Sequence, residues 1–297
     1  MDDRPRIVQL VQDGSDELRR HVVALSAGLR SRKVEPHIVG NLNRQFRDEL
    51  SHQGTRWVNL PLPGELSGKA LKAVVAAITR FLNTTGPVVV HAHGPSAGLA
   101  GALATVSGPA GAPLVFTPHV LPTEGSGFRE RRTRRASLRR VLERSRAVIA
   151  CTDAERQAIL RVAGRREGDH PDRLFVVAPG VERRRQSSLF DVGEKRHAVG
   201  LHRDASIVVT AAPLEDGVAV DQFVRTAAMV SASVPSAEFL VIGEGPRLEE
   251  VRALAHELGL YGSTVFLAPR PDTLDIISTC NVYVSLTDDA AQAFVGG

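Results

Sequence analysis

A chain of 297 residues is long enough for two cores of ordinary size, because compact domains settle at roughly 100–200 residues each. With 43% hydrophobic and 24% charged residues it has the balance of a globular protein, which excludes a disordered or membrane-embedded chain. A formal net charge of +4 is too weak over this length to demand a nucleic-acid partner, and Cys151 and Cys280, with no CxxC or Cys/His spacing, argue against a disulfide framework or structural zinc site.

The start, Met1-Asp2-Asp3-Arg4-Pro5-Arg6, has no apolar leader, and no later run approaches the roughly 20 apolar residues that span a bilayer, so a cytoplasmic protein is expected. Ile7–Val11 reads as a strand, followed by the turn Asp13-Gly14-Ser15 and a helix with Leu18, Val22, Leu25 and Leu29 on one face. His37–Gly40 and Trp57–Leu60 are further strands, and residues 66–82 form a helix. The β-branched run Val88–Val90 predicts a central strand buried on both faces, delivering His91-Ala92-His93 to its carboxyl end. A small-residue helix over Ser96–Val106, a strand at Leu114–Thr117 ending in Pro118-His119, and an arginine-rich helix over Arg129–Arg146 come next. Strands at Ala147–Cys151 and Phe175–Val177 close this half.

The polar stretch Gly180–Asp204 reads as a linker, after which the plan restarts. Strand Ser206–Thr210, helix 218–234, strand Glu238–Ile242, helix Arg247–Leu258, strand Thr264–Leu267, helix Thr273–Thr279 and strand Val282–Leu286 follow in order. Alternating strands and helices predict an α/β chain with parallel sheets. Residues 1–182 form the first lobe, 183–204 the linker and 205–297 a shorter second lobe, about two-thirds of a doubly wound domain.

Several of these segments resemble family-4 glycosyltransferases of the GT-B fold. They are Val88–Ala100, Pro113–His119, Ala147–Leu160 with Cys151-Thr152-Asp153-Ala154-Glu155, Phe175–Glu182 with Phe190, Glu238–Pro246 and Val265–Asp272. The resemblance implies two Rossmann-like lobes, the first on the acceptor side and the second, truncated, on the donor-nucleotide side. It implies a retaining transfer of sugar from a nucleotide-sugar to an acceptor the sequence does not identify. The alternative is a non-catalytic homologue that binds a nucleotide-sugar or a protein partner.

Gly243-Glu244-Gly245-Pro246 lies between a strand and a helix, where backbone amides approach a phosphate. The resemblance assigns it to the donor nucleoside; a plain tight βα turn is the other reading. Pro269 and Arg270 follow a strand end, where open α/β sheets bind ligands, and are assigned to the nucleobase or to a solvated loop. The resemblance places His119 beside the transferred sugar, against a structural reading. His91 and His93 are expected on opposite faces of their strand, with His93, nearer its end, as the ligand candidate. Gly14 and Ser15 are acceptor-side candidates or simply a helix cap.

Leu138, Val141, Leu142 and Ser145 make a narrow packing stripe on the arginine-rich helix, leaving Arg129–Arg146 to meet an anionic membrane or solvent. No aromatic residues interleave these arginines as nucleic-acid binding would require. The family's two diphosphate-binding cations align with Ala211 and Asp216, and the chain ends at Gly297 before the family's second glutamate. Beyond Asp288-Asp289 near the C-terminus there is no DxD-like acidic cluster, no triad or P-loop is present, and no metal or cofactor is expected. A dehydrogenase is disfavoured because Gln12-Asp13-Gly14-Ser15 stands where GxGxxG would be.

Overall fold

A computed structural model describes residues 4–12, 16–62, 68–85, 88–107, 111–119, 128–164, 173–178, 180, 191–215, 219–270 and 272–286. The chain divides into two compact units, Met1–Gly180 and Val181–Gly297.

In the first unit seven parallel strands lie in the order β3-β2-β1-β4-β5-β6-β7. They are β1 (Arg6–Val11), β2 (Glu35–Gly40), β3 (Arg56–Asn59), β4 (Val88–His93), β5 (Leu114–Thr117), β6 (Ala147–Ala150) and β7 (Leu174–Val176). The intervening helices are α1 (Asp16–Ser31), α2 (Arg44–His52), α3 (Gly68–Thr85), α4 (Pro95–Ser107), α5 (Phe128–Arg144) and α6 (Asp153–Ala163). Strand alternation sends Val8, Leu10, Val90, Ala92, Leu114 and Phe116 into a core with α3, α4 and α5 residues. Val11 packs with Leu18 and Val22 of α1 on the opposite face. Helix α4 lies close on the sheet because it is small: a Cβ at Gly98 would come 2.5 Å from Phe116.

Strand β4 is longer than the predicted Val88–Val90 run, since His91, Ala92 and His93 also pair, with Val115, Phe116 and Thr117. Helix α2 was not predicted. It is capped by Asn43, whose side chain accepts the Phe46 amide, and it buries Phe46 and Leu50.

The second unit has the parallel order β10-β9-β8-β11, repeating the β3-β2-β1-β4 order of the first. Its strands are β8 (Ser206–Ala211), β9 (Ala237–Ile242), β10 (Thr264–Leu267) and β11 (Val282–Tyr283), with helices α7 (Val192–Ala198), α8 (Val220–Ser233), α9 (Leu248–Glu257) and α10 (Thr273–Ile277). Phe239 and Val241 pack with α8 and α9 residues, while Ile207, Val209, Leu240 and Ile242 pack with Leu201 and Ile276 on the other face.

Helix α7 falls inside the segment expected as a linker. Polarity misleads there because its key residue, Arg196, is buried, donating to the carbonyls of Thr279, Arg203 and Ala205 and to Asn281 Oδ1. Arg196→Ala strands several buried acceptors at about 1–3 kcal/mol each, so it should lower stability by roughly 3 kcal/mol or more. Urea unfolding followed by far-UV circular dichroism measures this, and an unchanged midpoint would show that other donors replace the guanidinium.

Candidate functional site

In an open α/β sheet, ligands bind where strand order reverses, outside the carboxyl ends of the strands. In the first unit that point lies between β1 and β4, whose last residues, Val11 and His93, are partners in register. A cluster of polar side chains occupies it. His91 Nε2 lies 2.8 Å from Thr117 Oγ1, His93 Nδ1 lies 3.0 Å from His119 Nε2, and His93 Nε2 lies 3.1 Å from Gln9 Oε1.

The expectation that His91 and His93 face opposite ways is corrected. Residues two apart in a strand share a face, and these two rings lie against each other, tilted by 36°, with centroids 4.1 Å apart. Two members of the cluster went unrecognised in the sequence. His21 of α1 sets its ring edge-on to His93 and His119, at 5.5 and 5.0 Å between centroids. Its signal was its place among Leu18, Val22 and Leu25 at helical spacing. Gln9 is fully buried, and the signal was a single amide in the otherwise apolar Ile7–Val11 run.

The hydrogen bonds fix the tautomers. Ser26 donates its hydroxyl to the Val22 carbonyl at 2.7 Å, so its oxygen accepts from Gln9 Nε2 at 3.0 Å. Gln9 Oε1 therefore accepts from His93 Nε2–H, leaving His93 Nδ1 a bare lone pair toward which His119 Nε2–H points. His119 reaches this position from left-handed backbone, φ 58°, which costs a side-chain-bearing residue on the order of 1 kcal/mol and is typical of functional sites.

Burial holds every ring of the cluster neutral. It pushes His91 and His119 down to about 3 and His93 well below its usual value, with the neighbouring imidazoles adding to the effect, and it lowers His21 as well. Nearby, burial raises the Glu155 carboxyl, opposed by the Cys151 N–H that it accepts at 2.5 Å. With the Thr152 cap, this makes Cys151–Glu155 the start of α6.

The unfolded chain binds protons on these histidines more readily than the folded one. The contribution of His91 and His119 to stability is therefore complete above about 6.5 and is lost as pH falls from there toward about 3. Between pH 7 and pH 5 His91 and His119 should each remove about 2 kcal/mol, at roughly 1.4 kcal/mol per pH unit. Urea midpoints at the two pH values test this, and equal midpoints would mean the cluster is hydrated in solution.

In the second unit the turn after β9 is set by close packing. A Cβ at Gly243 would lie 2.1 Å from the Ala212 oxygen, and one at Gly245, φ 153°, would lie 2.3 Å from the Leu214 oxygen. The Gly243 amide is spent on the Leu267 carbonyl, and Glu244 O accepts the Leu214 amide. Both facts favour the tight-turn reading over a phosphate cradle at Gly243. Helix α9 begins at Leu248, and Arg247 just before it pairs with Asp221 and Glu250.

Pro269 and Arg270 are exposed just past β10, with the Arg270 amide donating to Thr273 Oγ1 and its Nε to Asp272. These two turns thus follow adjacent strands, β9 and β10, while His93 ends β4 and His119 follows β5. Gly14, Ser15, Asp216, Asp288 and Asp289 lie outside the described residues.

Residues 17–180 match the glycosyl transferase 4-like domain. The chain belongs to that family. The matched glycosyl transferase 4-like region contains all of the histidine cluster, Gln9 excepted. The chain is also 31% identical over 232 residues to the D-inositol 3-phosphate glycosyltransferase of Acidothermus cellulolyticus, a match covering 71% of this chain and 50% of the relative. It thus spans about half the length of that curated relative. Among solved structures, a glycosyltransferase from Rickettsia africae superposes with TM-score 0.75 at 14% identity, over 95% of this chain and 72% of the other. Anabaena HepE, solved in complex with UDP, superposes with TM-score 0.69 at 17% identity, over 94% and 73%. These likenesses establish the GT-B fold, two Rossmann-like parallel-sheet lobes with the second smaller.

Proposed function

We propose that this chain acts in a glycosyltransferase that moves a sugar from a nucleotide-sugar to an acceptor, with retention at the anomeric carbon. The observation that carries the reading is a glycosyl transferase 4-like domain whose buried His93–His119 pair sits at the sheet's reversal point. With His119 Nε2–H committed to His93, its Nδ1 is left to accept from a sugar hydroxyl, and burial keeps that lone pair unprotonated. UDP is the first nucleotide to test, because HepE was solved with it. The turns after β9 and β10 would meet the donor through exposed Glu244, Pro246, Pro269 and Arg270.

A second reading is favoured by one position. Departure of a nucleoside diphosphate needs cations to neutralise the charge that develops. Ala211, which ends β8, offers a methyl where the family supplies an arginine, and Arg247 is already paired with two carboxylates. A homologue that binds a donor without efficient transfer fits these facts.

Calorimetry of the unmodified chain against nucleoside diphosphates, with a parallel transfer assay, should give measurable nucleotide affinity and weak turnover. Ala211→Arg with Asp216→Lys should tighten diphosphate binding more than nucleoside binding, since a charge pair at about 4 Å is worth about 4 kcal/mol at a dielectric near 20, before desolvation. No nucleotide affinity at all would sink the donor reading. Robust transfer by the unmodified chain would sink the non-catalytic one.

The same reading includes a peripheral contact with anionic membrane through α5. Leu138 and Val141 of α5 and Ser145 just past it are buried, while Arg132, Arg140 and Arg144 are exposed. Arg135 and Arg139 are partly spent on the Arg161 and Ala163 carbonyls at the end of α6. Among the described residues no helix is long and apolar enough to cross a membrane. Flotation with phosphatidylserine vesicles should capture the chain at low salt and release it at high salt, where screening shortens the reach of exposed charge. Capture indifferent to both lipid charge and salt would leave α5 a solvated face.

A further inference from the structure

The histidine cluster also has the makings of a second kind of site, which sugar transfer does not call for. One ring nitrogen from each of His21, His93 and His119 lies within 4.8 Å of the other two. The three come from separate places in the fold: α1, the last residue of β4 and the second residue past β5. His93 Nδ1 and His119 Nε2 are already 3.0 Å apart. That is close to the roughly 3.3 Å edge of a tetrahedron with metal–nitrogen bonds of about 2.0–2.1 Å.

The supporting shell is of the kind a metal-bound histidine needs. A ligating imidazole donates its other N–H to a carbonyl or carboxylate, which fixes ring and tautomer. Gln9 Oε1 does this for His93, and Gln9 is in turn held by Ser26 and Ser26 by the Val22 carbonyl. His93 is therefore set in the tautomer that ligates through Nδ1. Its neighbour His91 is occupied by Thr117 and lies against the His93 ring, so it braces the site from the side. His21 is half-buried, and its ring makes no hydrogen bond among the described residues.

We propose that His21, His93 and His119 form a binding site for one first-row dication that prefers imidazole, such as Zn²⁺, Co²⁺, Ni²⁺ or Cu²⁺. Mg²⁺ and Ca²⁺, which take oxygen ligands, do not suit three nitrogens. His119 moves its proton from Nε2 to Nδ1 on binding, and His21 closes the remaining distance by side-chain rotation. A fourth position is left for water or another ligand. The expectation of no metal came from seeking ligands close together in the chain, whereas these are gathered by the sheet.

The experiment uses the full chain, stripped of metal by chelator and without nucleotide, so its failure leaves the transferase reading intact. Titration with Co²⁺ should saturate at one equivalent and give the intense visible absorption of a four-coordinate site, displaced by Zn²⁺ but not by Mg²⁺. His21→Asn and His119→Asn, checked for folding by circular dichroism, should each weaken Co²⁺ binding by about 10-fold or more, as loss of a first ligand must exceed loss of an outer partner. His52→Asn and His256→Asn, elsewhere on the surface, should not. Uptake unchanged in the first two variants, or no stoichiometric uptake, would overturn the site. Should those variants fail to fold, Cu²⁺ bound to the unmodified chain gives the answer by electron paramagnetic resonance: splitting from three nitrogens supports the proposal, and fewer overturns it.

Discussion

The candidate site depends on one pairing of parallel strands, β1 beside β4, with Val11 opposite His93. Strands distant in sequence become neighbours there, and the connections leave in opposite directions, opening a crevice at the carboxyl ends. The same register puts Gln9 opposite His91, on the face that Ser26 of α1 covers. A slip of one residue would turn Gln9, His91 and His93 to the α3–α4 side and Val8, Val90 and Ala92 to the histidines' place. The apolar core therefore enforces the register on which the polar cluster relies.

Burying Gln9, His91, His93 and Thr117 is tolerable because each has a partner. A buried amide or imidazole without one costs several times what an ordinary hydrogen bond contributes. Here the partners run in a chain from the Val22 carbonyl through Ser26, Gln9 and His93 to His119. Such a chain has one self-consistent set of proton positions, so the rings are held in orientation as well as in place. The outcome is a preorganised, uncharged set of lone pairs at the carboxyl edge of the sheet, the feature on which both the proposed sugar contact and the proposed metal site rest. The left-handed backbone at His119 is the strain accepted to turn its ring back onto His93.

The second unit repeats the first unit's strand order around a different chemistry. Its glycines allow the turn after β9 to lie against the backbone of residues 212–214, so they serve the fold before any ligand arrives. The cation nearest in sequence to that turn, Arg247, is already neutralised by Asp221 and Glu250. The two units thus differ in what they present: the first a concentrated polar cluster, the second a well-packed turn with exposed loops.

The sequence alone determined the α/β class, the alternation of elements and most strand positions, because β-branched runs and helical spacing are local signals. Leu114–Thr117 and Thr264–Leu267 were legible to the residue, and of the stripe Leu138, Val141, Leu142 and Ser145 three residues are buried and Leu142 is partly buried against the core. Helices α2 and α7 were not legible, since short polar segments owe their helicity to Asn43's cap and Arg196's buried bonds. His93 and His119 could be picked out by resemblance, yet nothing local linked them to His21 or Gln9. Those contacts join residues 72 to 98 positions apart for His21 and 84 apart for Gln9, and the parallel sheet's crossover order alone brings them together. Tertiary structure decided the site because proximity at the carboxyl edge of a sheet is set by strand order, which no single segment encodes.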